Sequence, residues 1–186
     1  MPYRLRQIWL SSAMAAITLM PLSVVASAEP PPTSHVRSSN SRIAEVLRYA
    51  KTRSVSFEDL IATLDGLDTV VIVEDGVCRA GEFLSCVHVL PSRRVVVRVN
   101  ARQTNLLVAT QLAHELYHAV EIARELDVID EPSLHALYER IGYRTCADEV
   151  HSCWDTSAAR AFEHLVWKQL YSSKAAKRQP GEVGPS

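Results

Sequence analysis

The chain has 186 residues, 47% hydrophobic and 22% charged, with a formal net charge of −1. That composition suits one globular domain and excludes a disordered or fibrous chain. No excess of Lys and Arg is clustered as phosphate contacts require, so a nucleic-acid partner is not expected.

In chain order, residues 1–28 read as an export signal: Arg4 and Arg6 form a basic start, Ile8 to Met20 is mainly apolar, and Ala26-Ser27-Ala28 is a small-residue cleavage site. Left uncleaved, the same apolar stretch would be a membrane anchor, since its length approaches the roughly 20 residues that span a bilayer. Without its two arginines, the remainder carries 18 basic and 21 acidic residues, a formal charge of −3. A secreted or periplasmic location follows from the signal. Residues 29–40, with Pro30-Pro31-Pro32 and a Ser/Thr-rich continuation, are expected to form a linker.

Two short helices are predicted next. Ser41 opens one with Ile43, Ala44, Val46, Leu47 and Ala50 at helical spacing, and Ser56 with Asp59 opens another carrying Phe57, Leu60, Ile61 and Leu64, ended by Gly66. From Thr69 the pattern becomes β-branched, predicting strands at Thr69–Val73, Phe83–Leu90 and Arg94–Asn100, broken by Asp75-Gly76, Gly81 and Pro91. The last alternates Val95, Val97 and Val99 with Arg94, Val96 and Arg98, as a half-buried edge strand does. Helices are then predicted over about 104–127, 131–142 and 155–171, and the polar tail 172–186 is expected to be disordered.

These elements predict an α+β domain over residues 41–171: a small antiparallel three-stranded sheet packed on an active-site helix, with N-terminal helices before it and two C-terminal helices after it. Four cysteines, Cys78, Cys86, Cys146 and Cys153, follow the signal. In an oxidising compartment an even number suggests disulfides, and the close pairs 78/86 and 146/153 are favoured among three connectivities. Gaps of eight and seven residues do not suit a four-cysteine zinc site.

The segment His114-Glu115-Leu116-Tyr117-His118 places two imidazoles four residues apart, on one face of a helix and within reach of one cation. Glu115, beside the first ligand, would take the proton of a metal-bound water. Flanking residues Gln111 to Ala113 and Leu116, Tyr117, Ala119 and Val120 carry no charge. An accidental match on a solvated helix face is the alternative.

A catalytic zinc commonly takes a third protein ligand. Candidates downstream are Glu149, His151, Asp155 and Glu163. On a helix counted from Asp155 at 100° per residue, Ala158, Ala159, Phe162, Leu165, Val166 and Leu170 share its face within about 80°, and Arg160, His164 and Lys168 lie opposite. Asp155 is therefore either a ligand at the buried end of an apolar stripe or the N-cap of that helix. Glu163 lies at the stripe edge, as a ligand or a solvated residue. His151 is a ligand, an oxyanion donor or a surface histidine. Tyr117, Tyr138 and Tyr143 are candidate oxyanion donors or half-buried core residues.

The motif His114-Glu115-Leu116-Tyr117-His118, followed 37 residues on by Asp155-Thr156-Ser157-Ala158-Ala159, resembles the arrangement of the gluzincin class of zincin-type zinc metallopeptidases. The resemblance implies His114 and His118 as zinc ligands, Glu115 as general base and Asp155 where the family has a glutamate one methylene longer. It also implies an extended peptide or protein substrate held by a strand beside the helix, for which Arg94–Asn100 is the candidate. The expected function is an exported zinc-dependent hydrolase, a peptidase. A non-catalytic zinc-binding cell-envelope or interaction protein is the second reading, and a disulfide-stapled binding protein with an accidental motif the third.

Overall fold

In a computed structural model of the chain, the residues described are 34–78, 85–145 and 153–176, with side chains to residue 173. The expected signal at 1–28, Glu149, His151, Cys146 and residues 177–186 of the expected tail lie outside the described residues; residues 172–176, expected to be disordered, are helical.

The chain enters through strand β1 (Val36–Arg37), inside the segment expected to be linker. Asp65 fixes its approach, accepting hydrogen bonds from Ser34 Oγ at 2.8 Å and the His35 amide at 2.7 Å. Helix α1 (Ser41–Lys51) is capped by Asn40, not Ser41; the Asn40 side chain accepts from the amides of Arg42 and Ile43. Its residues Ile43, Val46 and Ala50 recur at i, i+3 and i+7 and are buried. Helix α2 (Val55–Asp65) is capped by Ser54 and ends at Gly66, burying Phe57, Leu60, Ile61 and Leu64.

Strands β2 (Val71–Asp75), β3 (Ser85–Leu90) and β4 (Arg94–Val99) join β1 in a four-stranded sheet of order β1-β2-β4-β3. The sheet is mixed, which corrects the expected three antiparallel strands: β1/β2 and β2/β4 are parallel, and only β3/β4 is antiparallel. The reason is order, not strand type. The tight β3–β4 connection reverses the chain, and β4 rather than β3 then settles beside β2, running the same way. Helices α1 and α2 form the crossover that makes β1 and β2 parallel.

β4 is therefore interior and not the expected edge strand. Its run of valines suits that place, because Val95, Val97 and Val99 pack into the core on one face while Val96 is buried on the other. Among the described residues, β3 is the edge beside the later helices. At the β3–β4 turn, Ser92 and Arg93 take left-handed φ values of 68° and 58°.

Helix α3 (Asn105–Arg124) is buried on nearly every side, against the sheet on one face and against α1, α2 and the last helix on the others. Helix α4 (Glu131–Ile141) opens with a capping box between Asp130 and Ser133. A two-stranded ribbon follows, β5 (Tyr143–Arg144) with β6 (Trp154–Asp155), and helix α5 (Ser157–Ala176) closes the core through Val166 and Leu170. Cys78 is bonded to Cys86, and Cys153 is also in a disulfide. No described helix is long and apolar enough to cross a membrane.

Candidate metal centre

His114 and His118 stand one turn apart on α3, as their spacing requires, with Nε2 atoms 3.2 Å from each other. Asp155 Oδ1 completes a triangle, 3.4 Å from His114 Nε2 and 3.6 Å from His118 Nε2. Donors bound at about 2.05 Å to one ion in tetrahedral positions stand about 3.3 Å apart, so the three atoms match one face of that tetrahedron. The fourth vertex is left to the cleft. This group could hold a metal ion.

Each imidazole is held from behind. His118 Nδ1 meets Glu121 Oε2 at 2.7 Å, and His114 Nδ1 meets Glu163 Oε2 at 3.1 Å. Thr156 Oγ1 donates to the other Glu121 oxygen at 2.8 Å, fixing that carboxylate. Carboxylates on the far nitrogens hold each ring's Nε2 toward the triangle, the usual outer support of a metal-binding histidine. Glu163 thus stands behind His114 rather than in the triangle.

The two readings of Asp155 are separated here. It lies in β6, not at the helix cap, which is Thr156: its Oγ1 accepts from the Ala159 amide at 3.1 Å. Asp155 is instead fixed by the Thr156 amide on Oδ1 and by Arg160 Nε on Oδ2. Asp155 precedes the helix, yet the count from it largely stands: Ala159, Val166 and Leu170 are buried and Arg160, His164 and Lys168 exposed, whereas Ala158 and Leu165 are exposed against it. Arg160, expected on the far face, reaches back into the site.

Glu115 is buried, 5% exposed, and its Oε1 accepts from Ser85 Oγ at 2.7 Å. Burial raises its pKa, opposed by the charges of His118 and His114 and the bond from Ser85. For His118, burial works against the charged form, but the carboxylates of Asp155 and Glu121 outweigh it and bring the pKa to about 9. Asp155 is the converse: burial would raise its pKa, but His118, His114 and Arg160 together hold it low.

The three tyrosines part company. Tyr117 packs on Phe162, with ring centroids 5.1 Å apart, away from the triangle. Tyr143, exposed, pairs with Asp155 in the β5–β6 ribbon. Tyr138 meets His118 edge-on at 5.2 Å and lines the same cleft. Its hydroxyl is buried with no hydrogen-bond partner; burial first, and then the charge of Glu121, push its pKa up.

The cleft that contains the triangle has a volume of about 670 Å³ and runs between β3 on one side and α4 on the other. Four residues of the site were not singled out in the sequence: Glu121, Thr156, Ser85 and Arg160. Only Glu121 carried a local signal, three residues after His118 on the same helix face. Ser85 is 30 residues from its partner, and that pairing depends on where β3 lies in the sheet. Comparison with known proteins finds no matching family model, no matching curated protein and no matching solved structure. Fold and site therefore define the chain only as an α+β protein with a His-His-Asp group able to hold a metal ion.

Proposed function

We propose that the chain is an exported zinc-dependent peptidase of the gluzincin kind, with His114, His118 and Asp155 as zinc ligands and Glu115 as general base. The observation that carries this reading is the triangle of 3.2, 3.4 and 3.6 Å between three ligand atoms, with the carboxylate of the intervening Glu115 buried beside it. Two imidazoles and one carboxylate are a donor set that suits zinc, and three protein ligands with a fourth position free are the catalytic form of such a site.

A zinc ion held by His114, His118 and Asp155 would supply Lewis acidity toward a water and a substrate carbonyl. The chain's own groups do the rest. Ser85 holds Glu115 Oε1, leaving Oε2 to accept a proton, and burial makes that carboxylate a stronger base than an exposed one. Tyr138, whose side chain lines the cleft edge-on to His118, is the tyrosine placed to serve as a donor to a developing oxyanion. Arg160 keeps Asp155 in place through Oδ2 and is itself more than half exposed at the cleft. Disulfides at Cys78 and Cys153 support an oxidising compartment.

Metal analysis and turnover of an unfolded protein such as casein test the reading. Residues 29–186 should bind about one zinc per chain, lost in His114→Ala and His118→Ala. Glu115→Gln should keep the zinc and lose at least about a thousandfold in kcat, because it removes the proton acceptor alone. Purified protein without a stoichiometric divalent metal would overturn the proposal; zinc with no turnover in either form would reduce it to a metal-binding module.

A further inference from the structure

We infer that the groove between β3 and α4 receives the free amino end of an extended peptide, laid antiparallel to β3 with its α-ammonium group against Glu131. This rests on the peptidase reading above and gives it a substrate end and a direction.

β3 uses only alternate backbone groups to pair with β4. The amide of Val95 donates to Val70, and the carbonyl of Val99 accepts from Gly76, so Val95, Val97 and Val99 of β4 turn their polar groups toward β2. Arg94, Val96 and Arg98 must then serve β3, through their register partners Leu90, His88 and Cys86. The alternate residues Ser85, Val87 and Val89 point their amides and carbonyls away from the sheet. Among the described residues no strand covers that edge.

One of those three stations is already taken. The Val89 amide donates at 3.2 Å to Glu131 Oε1, an oxygen that also meets His88 Nδ1 at 3.0 Å. Glu131 stands where an added strand would continue, so among the described residues pairing is open at Ser85 and Val87 and closed at Val89. Ser85 is also the residue that holds Glu115. The free length of edge from the general base to the block is thus about four residues, or roughly 13 Å. A peptide on this edge runs out of partners a few residues from the reacting bond.

Charge then sets its direction. The block is a carboxylate with Oε2 left over, about half exposed and lining the cleft, and it would repel a carboxyl terminus and attract an ammonium group. A cation, Arg160, lines the same cleft beside Asp155. An amino terminus at Glu131 and a chain running toward Ser85 is the antiparallel orientation, the one that pairs both backbone groups of Val87 with one peptide residue. Hydrolysis beside Glu115 would release N-terminal fragments of about two to four residues, the length of edge available.

The test separates recognition from turnover. Zinc-loaded Glu115→Gln protein is titrated with two pentaalanine amides bearing a fluorophore on a C-terminal lysine, one with a free amino terminus and one N-acetylated. The free amine should bind at least tenfold more tightly. Glu131→Gln in the same background keeps an oxygen for the Val89 amide but removes the charge, and should abolish the difference. Equal binding of the two peptides, binding of neither, or a difference that survives Glu131→Gln overturns the inference. If the native protein cleaves the acetylated peptide as well as the free one, the inference falls while the peptidase reading stands. If it cleaves neither and the tenfold preference is present, amine recognition stands and the peptidase reading falls.

Discussion

His118 has its two nitrogens in different surroundings, Nε2 toward His114 and Asp155 and Nδ1 on Glu121. With its pKa raised to about 9, it is charged near neutrality in the metal-free protein. The sign follows from the direction of the shift. Charge on His118 stabilises the metal-free fold fully below the ordinary value of about 6.5 and ceases to do so as pH rises through about 9. A metal ion must displace that proton. Zinc titrated calorimetrically into metal-free protein at about pH 7.5, in buffers of different ionisation enthalpy, should release about one proton from His118, falling toward zero above about pH 10. A release that does not change across that range would contradict the assignment. The carboxylate behind the ring should matter nearly as much as the ring itself: Glu121→Gln should weaken zinc binding by about 10–100-fold, measured by competition with a chelator.

The third donor is delivered by a small element, the β5–β6 ribbon. Its position against the end of α4 depends on Gly142, where an added Cβ would lie 2.8 Å from the Asp155 carbonyl oxygen and 2.9 Å from that of Tyr138. Both obstacles are backbone, and the φ of −110° is open to any residue, so the requirement is one of space alone. Gly142→Ala should push β6 away from α4 and carry Asp155 out of the triangle. The expected result is a loss of about 1–3 kcal/mol in stability and at least about tenfold in zinc affinity, seen by thermal unfolding and chelator competition. Unchanged affinity would mean that the ribbon yields elsewhere. The hairpin of β3 and β4 is anchored differently: Arg93, in its left-handed turn position, donates to the carbonyls of Glu125 and Ala123 at the end of α3, at 3.0 and 3.1 Å. That contact holds the edge strand and the ligand helix in one frame.

At the scale of the molecule, one constraint is covalent and a second would come with a metal ion. Cys78–Cys86 closes a loop with a sequence separation of 8, for which loop entropy gives about 2.5 kcal/mol. The joint replacement Cys78→Ser and Cys86→Ser should lower the thermal midpoint by several degrees, and a shift of less than about 1 °C would show that the loop is constrained without it. A metal held by α3 and β6 should act in addition to this. Each tenfold rise in free zinc above the dissociation constant adds about 1.4 kcal/mol, so the midpoint should climb with zinc and return on chelation, and His114→Ala should remove the dependence.

Much of this was legible in the residues. Helical spacing located α1 to α5 within a few residues, because each buries a stripe of apolar side chains at a period the sequence displays. The facing of His114 and His118 followed from 3.6 residues per turn and needed no partner. What the sequence did not contain was any relation between distant elements. The pairing of β4 with β2 and β3, the edge left on β3, the reach of Ser85 to Glu115 and of Arg160 back to Asp155 all depend on which element lies beside which. Local periodicity fixes which face of an element is buried, whereas packing of the whole chain chooses its neighbour. Only the tertiary structure could remove the cap reading of Asp155, because the one residue between β6 and α5, Thr156, takes the cap and leaves Asp155 in β6, facing His114 and His118.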